Sequence, residues 1–257
     1  MFHHVVSYRR SLVLILCTIL FLETQADSDI CKICTCNSLT TRINCARRNL
    51  LSIPQPIPTN VEYLYLFGNN ISTIKEGVFT GLSNLKTVDL YENNISTIKE
   101  GTFTGLSNLK ELDLRWNNIS TIKEGLFTGL SNLKTLGLRN NKISRIEKEM
   151  FQGLHNLEKL SLSFNKISRI EKEMFQGLHN LEIFYLENNN LMKCGCHLPA
   201  FVKYIKKVYN RTVAVSGTCQ EGSGKRIPIL DYSQCQNYSL FQRNLQCQTC
   251  SGIKCNE

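Results

Sequence analysis

The sequence predicts an α/β repeat solenoid, with a parallel β-sheet lining its concave face and a cysteine-rich cap at each end. Two observations predict it. A 24-residue unit recurs five times over residues 61–180, starting at Val61, Leu85, Leu109, Leu133 and Leu157, and a partial sixth copy starts at Leu181. A fixed period of this length marks stacked coils rather than a globule. The 12 cysteines gather at the two ends, with none between Cys45 and Cys194. Such grouping is expected where a stack needs its open ends closed and where disulfides persist.

Residues 1–26 read as a signal peptide. Arg9 and Arg10 precede an apolar run, Leu12 to Leu22, and small residues follow near Ala26. The run is too short to span a bilayer, and no later segment is apolar enough. The polar end, Ser251 to Glu257, lacks the tail of a lipid anchor. The expected location is therefore extracellular, as a secreted chain with no membrane span.

Net charge is +9, but it is unevenly placed. Residues 61–192 carry 15 basic and 15 acidic side chains, whereas residues 193–257 carry 9 and 3. The basic character thus belongs to the C-terminal end. In an extracellular setting it favours a sulfated glycan over nucleic acid.

Residues 27–60 form the N-terminal cap. Cys31, Cys34, Cys36 and Cys45 fall within fifteen residues, without histidine, so disulfides are favoured over a zinc site. Spacing alone leaves three pairings of four cysteines open. The stretch from Arg42 reads as a degenerate first strand, and the proline-set run from Ile53 to Pro58 as extended chain.

Residues 61–193 are the repeats. Each opens L-x-x-L-x-L-x-x-N-x-I, as in Leu109, Leu112, Leu114, Asn117 and Ile119. The alternation at positions 4 and 6 predicts a short strand with one buried face. Asn69, Asn93, Asn117, Asn141, Asn165 and Asn189 occupy position 9 in all six copies. Their amides are expected to satisfy backbone groups where the strand ends. The second half supplies an isoleucine, a phenylalanine and a leucine to the core, as in Ile98, Phe103 and Leu106, and Gly105 to a tight turn.

Period, asparagine row and both cysteine groups resemble the leucine-rich repeat family in its extracellular 24-residue form. The resemblance extends to variable lymphocyte receptors and secreted recognition proteins of that class. It implies a curved horseshoe, and the pairs Cys31–Cys36, Cys34–Cys45, Cys194–Cys219 and Cys196–Cys235. It makes residues 194–235 the C-terminal cap and 236–257 a cysteine-containing tail. No catalytic residue, metal site or cofactor is expected. The three histidines beyond the signal, His155, His179 and His197, lie in no catalytic motif.

Function is read by comparing the copies. Units 133–156 and 157–180 differ only at positions 2, 3, 5, 7 and 8. Units 85–108 and 109–132 change mainly at 3, 7 and 8. Positions 3, 5 and 7 point out of the concave sheet, with 2 and 8 beside them. Drift after duplication would scatter over every exposed position, so the pattern predicts a diversified binding surface. Its candidate contacts are Tyr63, Tyr65, Phe67, Asp89, Tyr91, Glu92, Glu111, Asp113, Arg115, Trp116, Arg139, Asn140, Lys159, Phe164 and Tyr185. Aromatics and arginine are the usual anchors of protein interfaces, and the mixed charge favours a protein or glycoprotein ligand. Tyr63, Tyr65 and Phe67 have the alternative of packing under the N-terminal cap. The expected role is extracellular recognition, innate-immune or adhesive. The alternative is a matrix or developmental regulator binding growth factor, collagen or sulfated glycan through this face and the basic C-terminal cap.

Five N-x-S/T sequons, at Asn70, Asn94, Asn118, Asn210 and Asn237, are expected glycan acceptors. Leu198, Phe201, Val202, Ile205 and Val208 fall at helical spacing, with Lys203, Lys206 and Lys207 opposite. Cys247, Cys250 and Cys255 are an odd number in the tail and suggest a disulfide-linked oligomer.

Overall fold

A computed structural model describes residues 28–147, 149–168, 175, 177–189, 214–216, 218–220 and 226–228, the last three by backbone alone. The expected signal peptide, the pairs Cys194–Cys219 and Cys196–Cys235, the helix over 198–208, Asn210, Asn237 and the tail cysteines lie outside what it describes.

The chain opens with helix α1 (Ser28–Ile33) and two short strands, β1 (Thr35–Cys36) and β2 (Arg42–Asn44). The repeats then contribute one three-residue strand each: β3 (Tyr63–Tyr65), β4 (Thr87–Asp89), β5 (Glu111–Asp113), β6 (Thr135–Gly137), β7 (Lys159–Ser161) and β8 (Ile183–Tyr185). A ninth strand, β9 (Ala214–Ser216), continues the sheet, and β10 (Thr218–Gln220) pairs antiparallel with β11 (Arg226–Pro228). The nine strands run in chain order, antiparallel between β1 and β2 and parallel from β2 onward. Register is constant: Thr87 faces Glu111, which faces Thr135, which faces Lys159. Every unit therefore keeps its numbering in space, and position n of one coil lies beside position n of the next. The sequence reading placed no strand beyond residue 193, whereas β9 gives β8 a parallel partner on its far side.

The degenerate strand expected at Arg42 is β2, and it templates the first repeat. Disulfides join Cys31 to Cys36 and Cys34 to Cys45, as the resemblance implies. Ile30, Cys34, Ile43 and Cys45 are buried against the open end of the first coil. The cap thus hides an apolar face that would otherwise meet water.

Positions 1, 4, 6, 11 and 14 fill the coil interior. Leu109, Leu112, Leu114 and Ile119 are wholly buried and Ile122 is almost so. Each such side chain contributes about 1.5–3 kcal/mol on leaving water. Phe79, Phe103, Phe127, Phe151 and Phe175 stack down the back of the coils with centroids 5.9, 6.5, 6.4 and 6.2 Å apart. Paired strands are about 4.8 Å apart. A stack wider at its phenylalanines than at its strands bends around the strands, so the sheet lies on the inside of the curve. Gly105, in the turn after Phe103, has φ 88°. That left-handed turn is the conformation glycine reaches without strain.

Position 9 carries the main polar order. Asn117 Nδ2 donates to Leu90 O at 2.9 Å and Leu114 O at 3.2 Å, and its Oδ1 accepts from Ile95 N at 3.0 Å. The same set recurs at Asn93, Asn141, Asn165 and Asn189. Each amide reaches its own coil and the preceding one, rather than both neighbours. A second asparagine row stands at position 24. Asn84, Asn108, Asn132, Asn156 and Asn180 donate to a carbonyl of the preceding coil, at 2.8 Å for Asn132 to Ser107. This row is exposed over most of its length.

Candidate functional site

The constant register turns the variable positions into rows across the sheet. Position 5 reads Tyr65, Asp89, Asp113, Gly137, Ser161, Tyr185; position 7 reads Phe67, Tyr91, Arg115, Arg139, Ser163, Glu187. Small side chains at position 5 of the fourth and fifth coils leave a depression of about 350 Å³ in the sheet face. Glu111, Arg115, Arg139, Lys159 and Tyr185 stand around it.

Gly137 is part of the mechanism that shapes this floor. A Cβ there would come within 3.0 Å of both Arg115 Cγ and Asp113 Oδ1. The missing side chain lets the Asp113–Arg115 pair lean across the neighbouring strand. Arg115 Nε donates to Asp113 Oδ1 and Oδ2 at 2.8 and 2.9 Å, and its Nη2 makes a further bond to Oδ2. The Asp113 carboxylate beside it raises the Arg115 pKa. Asp113 is only 8% exposed and also accepts the Arg115 backbone N–H. It therefore orients Arg115 and does not present a carboxylate to solvent. Of the candidate contacts, Asp113 is thus the buried one, turned under a neighbouring side chain.

Asp89, one strand away, is half-buried and accepts the Tyr91 N–H at 3.0 Å. Burial, then the charge of Asp113, pushes its pKa up to about 6 against the pull of that N–H bond and of Arg115. Glu111 is exposed on the next strand.

The aromatic candidates divide into two groups. Trp116, Phe164 and Tyr185 are exposed by 50%, 37% and 42%. Phe164 lies under the Arg139 guanidinium at 4.2 Å, and Tyr91 under Arg115 at 5.5 Å. Tyr63, Tyr65 and Phe67 are half-buried beneath cap arginines, with Arg42 at 4.4 Å from the Tyr63 ring and Arg47 at 5.8 Å from Phe67. These three join the repeats to the cap, which is the alternative the sequence left open.

Position 8 holds a feature that sequence reasoning missed. Its φ is positive in every coil: 67° at Gly68, 56° at Glu92, 54° at Trp116, 59° at Asn140, 55° at Phe164 and 53° at Asn188. Glycine and asparagine suit that region, whereas glutamate, tryptophan and phenylalanine are strained there by about 1–2 kcal/mol each. Because the angle recurs in all six coils, the repeat turn imposes it on whatever residue stands there. No shared residue type marked the row in the sequence.

Position 2 has a different use. Lys86 pairs with Glu62 at 2.8 Å and Lys134 with Glu158 at 2.6 Å. In these coils its variation is a matching of charge between neighbours. Of the sequons, Asn70 and Asn94 are exposed and Asn118 is half-buried. Lys142 and Lys166 hold the same position in the next two coils. Among the described residues, no group of three His, Cys, Asp or Glu side chains could hold a metal, and no helix is long and apolar enough to cross a membrane.

Comparison with known proteins agrees with this geometry. A relative from Rattus norvegicus, leucine-rich repeat-containing protein 4, is 35% identical over 84 residues, 32% of this chain and 13% of its own length. Human epiphycan is 37% identical over 67 residues, 26% of this chain and 20% of its own. The chain thus spans a fifth or less of these relatives. Among solved structures, a TLR13–ssRNA13 complex superposes with TM-score 0.54 and 34% identity over 56% of this chain and 21% of that one. An internalin, inlF of Listeria monocytogenes, superposes with TM-score 0.52 over 75% of this chain and 51% of its own; at 19% identity it speaks to fold alone. The leucine rich repeat family model matches residues 59–119, 83–143, 107–167 and 131–191, the same coils that the strands, asparagine rows and phenylalanine stack define. With more than half its length matched, the chain belongs to the leucine-rich repeat family.

Proposed function

We propose that this chain is an extracellular recognition protein that holds a protein or glycoprotein ligand on its strand face. The observation that carries the reading is a coincidence of position and chemistry. Of the positions that differ between copied units, 3, 5, 7 and 8 lie along the strand face, and they hold the exposed aromatics Trp116, Phe164 and Tyr185. Paired arginines stiffen the face: Arg115 is fixed by Asp113 and Arg139 by Phe164, which lowers the entropy lost on binding. Disulfides in the N-terminal cap support an oxidising, secreted setting. In the resemblance to variable lymphocyte receptors this is an innate-immune or adhesive role. Glycans at Asn70, Asn94 and Asn118 would border the first three coils and leave the depression in the later coils open.

The test is partner capture from extracellular fluid, with bound proteins quantified by mass spectrometry. Trp116→Ala with Arg115→Ala is expected to lose partners that the intact chain retains. Replacing Lys203, Lys206 and Lys207 by alanine is expected to keep them. Retention by the first variant and loss by the second would instead place binding on the basic C-terminal end, the growth-factor, collagen or sulfated-glycan reading.

A further inference from the structure

We infer that the depression over Gly137 and Ser161 is an anchor pocket for one acidic side chain of a protein partner, received by Arg139 and Lys159. The inference rests on the strand-face reading above and names the chemistry of that face.

The argument starts from which charges around the pocket are already satisfied. Asp113 and Arg115 neutralise each other, whereas Glu187, which also lines the pocket, accepts the Ser163 hydroxyl and keeps its charge. Lys134 and Glu158, just outside, form their own pair. Among the described residues, no carboxylate lies within ion-pair distance of Arg139 or Lys159. The Arg139 guanidinium lies over the Phe164 ring, whose face holds it in place without neutralising it. Lys159, at the opening of β7, is exposed. Both cations line the same depression from adjacent strands.

The space between them is built by absence. Position 5 carries Tyr65, Asp89 and Asp113 in the earlier coils and Tyr185 in the last, but Gly137 and Ser161 here. The resulting 350 Å³ accepts a glutamate side chain together with its flanking backbone. Tyr185 walls one end and the Asp113–Arg115 pair the other, so an entering carboxylate lies between the two cations and bonds to one of them. Charge-assisted bonds of that kind are about twice as strong as neutral ones. Glu111 and Glu187 also line the pocket and repel an acidic group from their sides, which confines the anchor to the side of Arg139 and Lys159.

The experiment uses Trp116, the one tryptophan of the chain, as a fluorescent reporter. Acetylated pentapeptide amides with central glutamate, glutamine or lysine, flanked by alanine and serine, are titrated against the full secreted chain. The glutamate peptide is expected to half-saturate at about tenfold lower concentration than the glutamine peptide, as one charge-assisted bond requires. Arg139→Glu with Lys159→Glu is expected to reverse the order, so that the lysine peptide becomes the tightest. Lys159 is exposed and Arg139 half-buried, and an unchanged circular dichroism spectrum checks the fold. Equal responses to glutamate and glutamine peptides, no response to either, or a stronger response to a heparin tetrasaccharide would overturn the inference. Any of these leaves the strand-face reading standing, because that reading fails only if the Trp116 and Arg115 variant keeps its captured partners.

Discussion

Asn117→Ala tests what holds successive coils in register. The asparagine donates to Leu90 O and Leu114 O and accepts from Ile95 N, at 2.9, 3.2 and 3.0 Å. The carbonyls are not orphaned by its loss: Leu90 O keeps Asn93 Nδ2 at 3.1 Å, and Leu114 O keeps Asn141 Nδ2 at 2.9 Å. Ile95 N is different, since the Asn117 oxygen is its acceptor and the group is buried. An unsatisfied buried donor costs about 1–3 kcal/mol, and the two lost bonds add about 1 kcal/mol each, for a total of about 3–5 kcal/mol. Asn132→Ala is the internal control. It removes a bond of similar length, to Ser107 O at 2.8 Å, but in the exposed row, where water replaces it. Its cost is expected below about 1 kcal/mol. The assay is urea unfolding followed by Trp116 emission and by far-ultraviolet circular dichroism. Asn117→Asp sharpens it: the acceptor for Ile95 N survives, but the donor becomes a buried charge, so the loss should shrink as pH falls towards about 4, the range in which an unfolded carboxylate titrates. Equal costs for Asn117→Ala and Asn132→Ala would refute burial as the reason that position 9 matters.

Three further outcomes follow from the structure. Thr102 Oγ1 is buried without a hydrogen-bond partner among the described residues, and Val78 and Leu126 hold the same position in neighbouring coils, so Thr102→Val should stabilise the chain by about 1 kcal/mol in the same unfolding assay. Glu92→Asn places a residue tolerant of positive φ where the backbone demands it, and should stabilise by up to about 1 kcal/mol without altering the spectrum. Asp89 has a folded-state pKa of about 6, above its ordinary value of 3.8, so the folded state takes up its proton first. Its contribution to stability therefore rises as pH falls from about 6 towards 4 and is lost as pH rises again. Asp89→Asn should flatten that part of the stability-against-pH curve, and an unchanged curve would refute the assignment.

Much of the scaffold was legible because it repeats. Asn117 means little alone, but the same residue in six registers can only be a row, and Phe103 with its four counterparts can only be a stack. The outward positions were legible through the differences between copied units. What stayed hidden depends on neighbours in the next coil rather than on a residue's own unit. Asp113 looks like Asp89 in sequence, yet Gly137 one coil later lets it fold under Arg115. Glu158 and Lys134 differ as freely as Phe164 and Asn140, yet the first pair form a bridge between coils. Position 8 stayed hidden because a backbone angle, not a side-chain type, unites Gly68, Trp116 and Phe164. The second asparagine row was visible as a pattern, but only its carbonyl partners give it a purpose.

The central claim is that binding sits on the strand face, and the affinity of a captured partner for the immobilised chain tests it most directly. Phe164→Ala with Tyr185→Ala removes two exposed aromatics from that face, while Lys99→Ala with Lys123→Ala alters the surface that the repeats copy unchanged. Interface anchors of this type are each worth about 2 kcal/mol or more. The account predicts a loss of affinity of more than about thirtyfold for the first variant and less than about twofold for the second. Full affinity in the first variant, with loss in the second, would contradict it.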